Sequence, residues 1–319
     1  MKSLKPWLFL AILAVAIAAP FFAYPIFLMK ILCFALFAAA FNLLLGYTGL
    51  LSFGHAAFFG GAGYCAGYFM RDMGVGPGGA IILGVLFAAA LGALIGGLAI
   101  RRQGIYFSMI TLALAQMFYF ICLQAPASGG EDGFQGIPRG ELFGLIDLQA
   151  DLNLYYFVLA TTLLGFLFIS RIISSPFGQI LKAIKENEPR AISLGYNVNR
   201  FKFLVFILSA ALAGLAGAVQ ALVLGFETLT DVHWSMSGLV ILMTLVGGVG
   251  TLVGPFVGAL VIVLLEHRVG EIGGFLAQVT GVAWFNSLGE SVTIVTGLIF
   301  IFCVMAFRRG LVGIFTKKQ

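Results

Sequence analysis

Thr48, Ser52 and His55 lie in a run rich in glycine, Gly46-Tyr47-Thr48-Gly49-Leu50-Leu51-Ser52-Phe53-Gly54-His55-Ala56-Ala57-Phe58-Phe59-Gly60-Gly61. Two hydroxyls and an imidazole can donate and accept hydrogen bonds. Glycines among them allow a helix to break so that backbone carbonyls line a cavity. The chemistry this suits is passage of a small polar solute. A second cluster, Gly247-Gly248-Val249-Gly250-Thr251-Leu252-Val253-Gly254-Pro255, echoes the first: Gly-x-x-Gly, then another Gly before His or Pro. A broken helix in each half of a chain is the pattern expected beside a transport path. Close helix packing with a turn accounts for the same glycines, and both readings stand on the motif alone.

Ser108, Thr111 and Gln116 fall within about 140° of arc on one helix, and Asn42 is a similar single polar group in an apolar run. Such a stripe faces a bundle interior, where it lines a path or ties helices together. The candidate translocation residues are therefore Asn42, Thr48, Ser52, His55, Ser108, Thr111 and Gln116. His55 is expected at the inner end of a helix, within reach of water and bonded to a neighbouring backbone group. It has no second His or Cys nearby to complete a metal site. No Asp, Glu, Lys or Arg falls in the middle of an apolar run, which argues against an ion-driven carrier. No Gly-x4-Gly-Lys-[Ser/Thr] loop is present, and the three His are scattered. We therefore expect no catalytic residue, no metal and no cofactor in this chain. Cys33, Cys65, Cys122 and Cys303 form no CxxC pair and read as packing residues.

The elements that must position these groups follow from composition. Of 319 residues, 61% are hydrophobic and 10% charged, and the mean hydropathy is +1.07. So little charge cannot cover a soluble globule, which excludes a cytosolic enzyme and a nucleic-acid binder. The chain reads as an all-α, polytopic transmembrane bundle forming one domain over residues 1–319. A crossing needs about 20 mostly apolar residues. Ten runs qualify, some short or broken: Leu8–Ala23, Ile26–Leu45, Ala56–Met70, Ala80–Ile100, Gly104–Leu123, Leu154–Ile173, Phe203–Leu224, Leu239–Val249, Leu252–Leu265 and Ser291–Phe307. The pair around Gly250 reads as two short crossings or as one interrupted helix. Lys2 and Lys5 before the first run give it the look of a cleavable leader as well as of a span.

With the N-terminus inside, fourteen Lys and Arg fall on inner segments and four (Lys30, Arg71, Arg139 and Arg268) on outer ones. This positive-inside asymmetry places both termini in the cytoplasm. The net charge, 18 − 13 = +5, is thus a topology signal rather than a nucleic-acid signal. Glu227, Asp231 and most other acids fall in outer segments. Two polar stretches remain, an outer loop at 124–153 and a basic inner loop at 174–202. In the inner loop, Asn187 or Glu188 can cap a short helix Pro189–Leu194 that Gly195 ends. Ala191, Ile192 and Leu194 would be its apolar contacts. It either lies on anionic lipid or docks into a groove of a soluble partner.

The inner loop carries Ser175-Pro176-Phe177-Gly178, Ala183-Ile184-Lys185-Glu186-Asn187-Glu188 and Leu194-Gly195, and leads into Ser209-Ala210-Ala211-Leu212-Ala213-Gly214-Leu215-Ala216-Gly217. With Phe41–Gly49, Ser52-x-Gly54-His55-Ala56-Ala57-Phe58, Thr111-Leu112-Ala113, Gly129–Gly133 and the Gly247–Pro255 cluster, these resemble the permeases of ATP-binding-cassette importers for branched-chain amino acids, the LivM type. Pro189 and Arg190 depart from the small apolar residues of the general coupling motif. The resemblance implies an inner-membrane permease subunit with a second permease, two cytoplasmic ATPases that bind ATP, and an outer solute-binding protein as partners. It implies that Glu188, Pro189, Arg190, Ala191, Ile192, Leu194 and Gly195 couple to the ATPases, and that the chain is not itself an enzyme. Urea, amides or other amino acids are alternative cargoes. A partner-independent channel or facilitator is the rival reading from the apolar spans alone.

Overall fold

The computed structural model describes residues 14–142, 144, 146–280, 297–298, 301 and 310–313. The first thirteen residues, with their leader-like pattern, and most of the expected span Ser291–Phe307 lie outside the described residues.

The chain is a helical bundle. Its helices are α1 (Pro25–Thr48), α2 (His55–Arg71), α3 (Pro77–Ala99), α4 (Ile105–Gln124), α5 (Asp151–Ser174), α6 (Pro176–Glu186), α7 (Glu188–Ser193), α8 (Val198–Leu224), α9 (Leu229–Val232), α10 (Trp234–Gly247) and α11 (Gly254–Thr280). Five of these, α1, α3, α4, α5 and α8, are long and apolar enough to cross a membrane. Pro25, Pro77 and Pro176 open α1, α3 and α6, where the missing N–H costs nothing and φ is preset. The end bearing the basic α6–α7 segment is called inner below.

α1 is apolar all round and buried along nearly its whole length, as a helix must be when neighbours enclose it. α8 is the second core helix. Its small-residue face touches three others. Ser209 donates to the Ala40 carbonyl of α1 at 2.6 Å, Gly214 faces Ala88 of α3, and Gly217 abuts the Phe59 carbonyl of α2. Small residues let backbones approach this closely where lipid gives no hydrophobic drive between helices. α4 lies at the periphery, with Ile105, Tyr106, Met109, Met117 and Phe120 exposed.

At the outer end, two-residue strands pair antiparallel: β1 (Phe134–Gln135) with β4 (Phe226–Glu227), and β2 (Glu141–Leu142) with β3 (Ile146–Asp147). The first pair ties the outer loop to the α8–α9 connection.

The region around Gly250 is two helices rather than one interrupted helix, and of the two only α10, at 14 residues, is short. α10 and α11 fold back on each other about the turn 248–253, with Gly247 against Gly254 and Gly258 against Met243. α11 runs for 27 residues, well beyond the expected Leu252–Leu265. Hydropathy falls at Glu266-His267-Arg268 and hides the continuation.

Gly217→Leu should crowd the α2–α8 contact and cost about 1–3 kcal/mol. Thermal unfolding in detergent checks this. The midpoint should fall, while Gly97→Ala, beside open space, should leave it in place.

Candidate functional site

The chain between α1 and α2 turns back into the bundle. Gly49, at φ 76°, ends α1 in a left-handed turn. Residues 50–54 then run without helical bonds until α2 begins at His55. His55 is fully buried, so it is not at a wet helix end. Its Nε2 lies 2.8 Å from Ser209 Oγ of α8, and Phe41, Phe58 and Phe206 surround the ring. The partner is thus a hydroxyl far away in sequence rather than a neighbouring backbone group.

Unwound backbone away from water needs side-chain partners. Ser108 of α4 donates to the Leu51 carbonyl at 2.6 Å. Thr111 Oγ1 accepts from the Phe53 amide at 3.2 Å. Ser52 Oγ accepts from the Gly54 amide at 3.1 Å. The Ala56 amide, in the first turn of α2, donates to Ser237 Oγ of α10 at 2.9 Å. Ser52, His55, Ser108 and Thr111 therefore come together around one break.

Asn42, Thr48 and Gln116 do not join them. Thr48 bonds back to the Leu44 carbonyl of its own helix. Gln116 lies farther along α4, and its Oε1 is buried without a partner. Asn42 holds the second glycine cluster: its Nδ2 donates to the Thr251 carbonyl at 2.8 Å and its Oδ1 accepts from the Gly250 amide at 2.8 Å. A Cβ at Gly46 would lie 2.8 Å from the Gly250 nitrogen, so glycine at both positions lets the two clusters meet.

The inner segment attaches at this meeting point. Lys185 of α6 donates to the Gly46 carbonyl at 2.7 Å, and Lys182 lies over the Tyr47 ring. Sequence reading had not singled out Lys185 for this, and no local signal reveals it. α7 follows immediately. Asn187 caps it by accepting from the Arg190 amide at 3.0 Å, and Gly195, at φ 87°, ends it. Ala191 does not face outward as expected. It packs with Ile184 and Val198 in a small apolar cluster of its own. Ile192 and Leu194 remain exposed, at 56% and 67%. Glu188 is also spent internally, pairing with the buried Lys202 at 2.7 Å and accepting from Gln103 of the α3–α4 turn at 3.0 Å. Pro189 and Arg190 are exposed.

A family model described as "Branched-chain amino acid transport system / permease component" matches residues 23–305. The chain is 27% identical over 263 residues to the high-affinity branched-chain amino acid transport system permease protein LivM of Escherichia coli, covering 75% of this chain and 62% of that protein. It therefore spans less than two thirds of that relative's length. To the LivM protein of Salmonella typhimurium it is 27% identical over 308 residues, 88% of this chain and 72% of the other. To the autoinducer 2 import system permease protein LsrC of Klebsiella pneumoniae it is 37% identical over 109 residues, 33% of this chain and 31% of the other. No solved structure matches it.

Asn42→Leu keeps the side-chain size but strands the Gly250 amide and the Thr251 carbonyl. Each unsatisfied group costs about 1–3 kcal/mol. The unfolding midpoint in detergent should drop, and hydrogen exchange at the 248–251 amides should accelerate.

Proposed function

Since the chain belongs to the family of permease components of branched-chain amino acid transport systems, we propose that it is the membrane subunit of an ATP-driven importer of branched-chain amino acids in a bacterial inner membrane. A second permease, two cytoplasmic ATPases and an outer binding protein complete the complex. The observation that carries this reading is α7. It is a short capped helix that offers Ile192 and Leu194 to solvent on a base fixed by Glu188–Lys202 and by the Ile184–Ala191–Val198 cluster. Two bare apolar side chains on a rigid mount suit insertion into a groove of a partner. α6 then carries any displacement to the Gly46 carbonyl through Lys185. This chain supplies path and lever, and the ATP is bound by the partners. The amino-acid cargo is favoured because the relatives aligned over most of the chain bear that name, whereas the autoinducer permease aligns over a third of it.

In cells lacking the native subunit, the wild-type chain should restore leucine uptake. Ile192→Asp with Leu194→Asp should lower uptake at least about tenfold through loss of coupling while the protein still inserts. The purified chain alone in liposomes should pass no leucine. Flux without partners would support the channel reading instead.

A further inference from the structure

Glu227 was expected in an outer aqueous segment. It is 1% exposed, its carboxylate packs on Gly63 of α2, and its Oε1 has no hydrogen-bond partner. None of the ion pairs Arg71–Asp72, Arg139–Asp151 and Lys202–Glu188 includes this acid. A second group waits beside it. Tyr64, the residue after Gly63, is 7% exposed, and its hydroxyl is unpartnered. The two do not bond to each other. Asp231 contributes a second acid, but its Oδ2 is taken by the Thr228 amide and hydroxyl.

The surroundings of this pair are apolar and ordered along one stripe of α2. Gly60 faces Val232, Gly63 faces Glu227, and Gly67 faces Ile137 and Phe134. An acid thus sits between aliphatic and aromatic walls, held down by the β1–β4 pairing of Phe134 with Glu227. Unpartnered buried polar atoms call for a ligand or ordered water. An ionised Glu227 only accepts, while the Tyr64 hydroxyl accepts as well as donates, so a donor group can meet both oxygens, and the apolar flanks suit a short alkyl chain. We infer that Glu227 and Tyr64 form a binding site for the ammonium group of an aliphatic amino acid at the outer end of the path, with Val232, Ile137 and Phe134 against its side chain. In this structure the site is closed onto α2, and a solute enters by parting the β4–α9 segment from Gly63. The cargo named here rests on the amino-acid reading above, while the site chemistry is tested without it.

The test is equilibrium dialysis of radiolabelled 3-methylbutylamine against the purified permease–ATPase complex. Saturable binding is expected, with Glu227→Gln weakening it at least about tenfold and Glu227→Asp largely restoring it. Tyr64→Phe should weaken it about fivefold. That variant removes one hydroxyl and decides the matter should the amide variant fail to assemble. The carboxylate 4-methylpentanoate should not compete. Absence of saturable amine binding, unchanged binding in the assembled variants, or equal competition by the carboxylate would overturn the inference. Glu227-dependent amine binding in a complex that imports no leucine would sink the cargo reading and leave this site standing.

Discussion

A helix broken inside a bilayer exposes backbone amides and carbonyls to a medium that cannot solvate them. The Asn42 side chain meets that constraint at one place by bonding both the Gly250 amide and the Thr251 carbonyl. The rest of the arrangement depends on this bridge. It fixes the α10–α11 turn against α1, and so brings Gly46 and Gly250 within backbone contact. The other break, 50–54, is met by hydroxyls from α4. Most of the polar residues of the spans are therefore committed to backbone, which leaves few free to greet a solute.

This division explains how a permease can be both stable and movable. The hydrogen bonds that satisfy the two breaks come from different helices, Asn42 of α1 for one and Ser108 and Thr111 of α4 for the other. α6 and α7 form the lever of the proposed coupling. α7 packs through Ala191 on a small cluster with Ile184 and Val198, while Leu181 of α6 is set in the main core. Lys185 and Lys182 reach α1 from α6, one on a carbonyl and one over a ring. In the proposed coupling, force applied at Ile192 and Leu194 arrives next to both glycine clusters.

Much of this was legible in residue order. Apolar runs of crossing length located α1, α3, α4, α5 and α8 within about five residues, because the bilayer fixes that length. Asn187, Pro189 and Gly195 marked the short inner helix through capping chemistry, which is local. What failed was whatever depends on distant partners. His55 bonds Ser209 across the bundle, Ala191 turns inward onto Val198, and Glu188 meets Lys202. Nothing in their own neighbourhoods signals this. Glu227 reads as part of an outer segment because it lies between apolar runs, although the segment folds back against α2. The spacing of Gly60, Gly63 and Gly67, one stripe of a helix, was the available clue that backbone packs there.

The most direct test of the account is the solute imported per ATP hydrolysed by the reconstituted complex carrying Lys185→Met, which keeps the side-chain length but removes the donor to the Gly46 carbonyl. The ratio should fall at least about fivefold, the scale of a lost coupling energy, with ATP hydrolysis continuing. An unchanged ratio would mean that the inner lever reaches the glycine clusters by some other route, and would contradict the account.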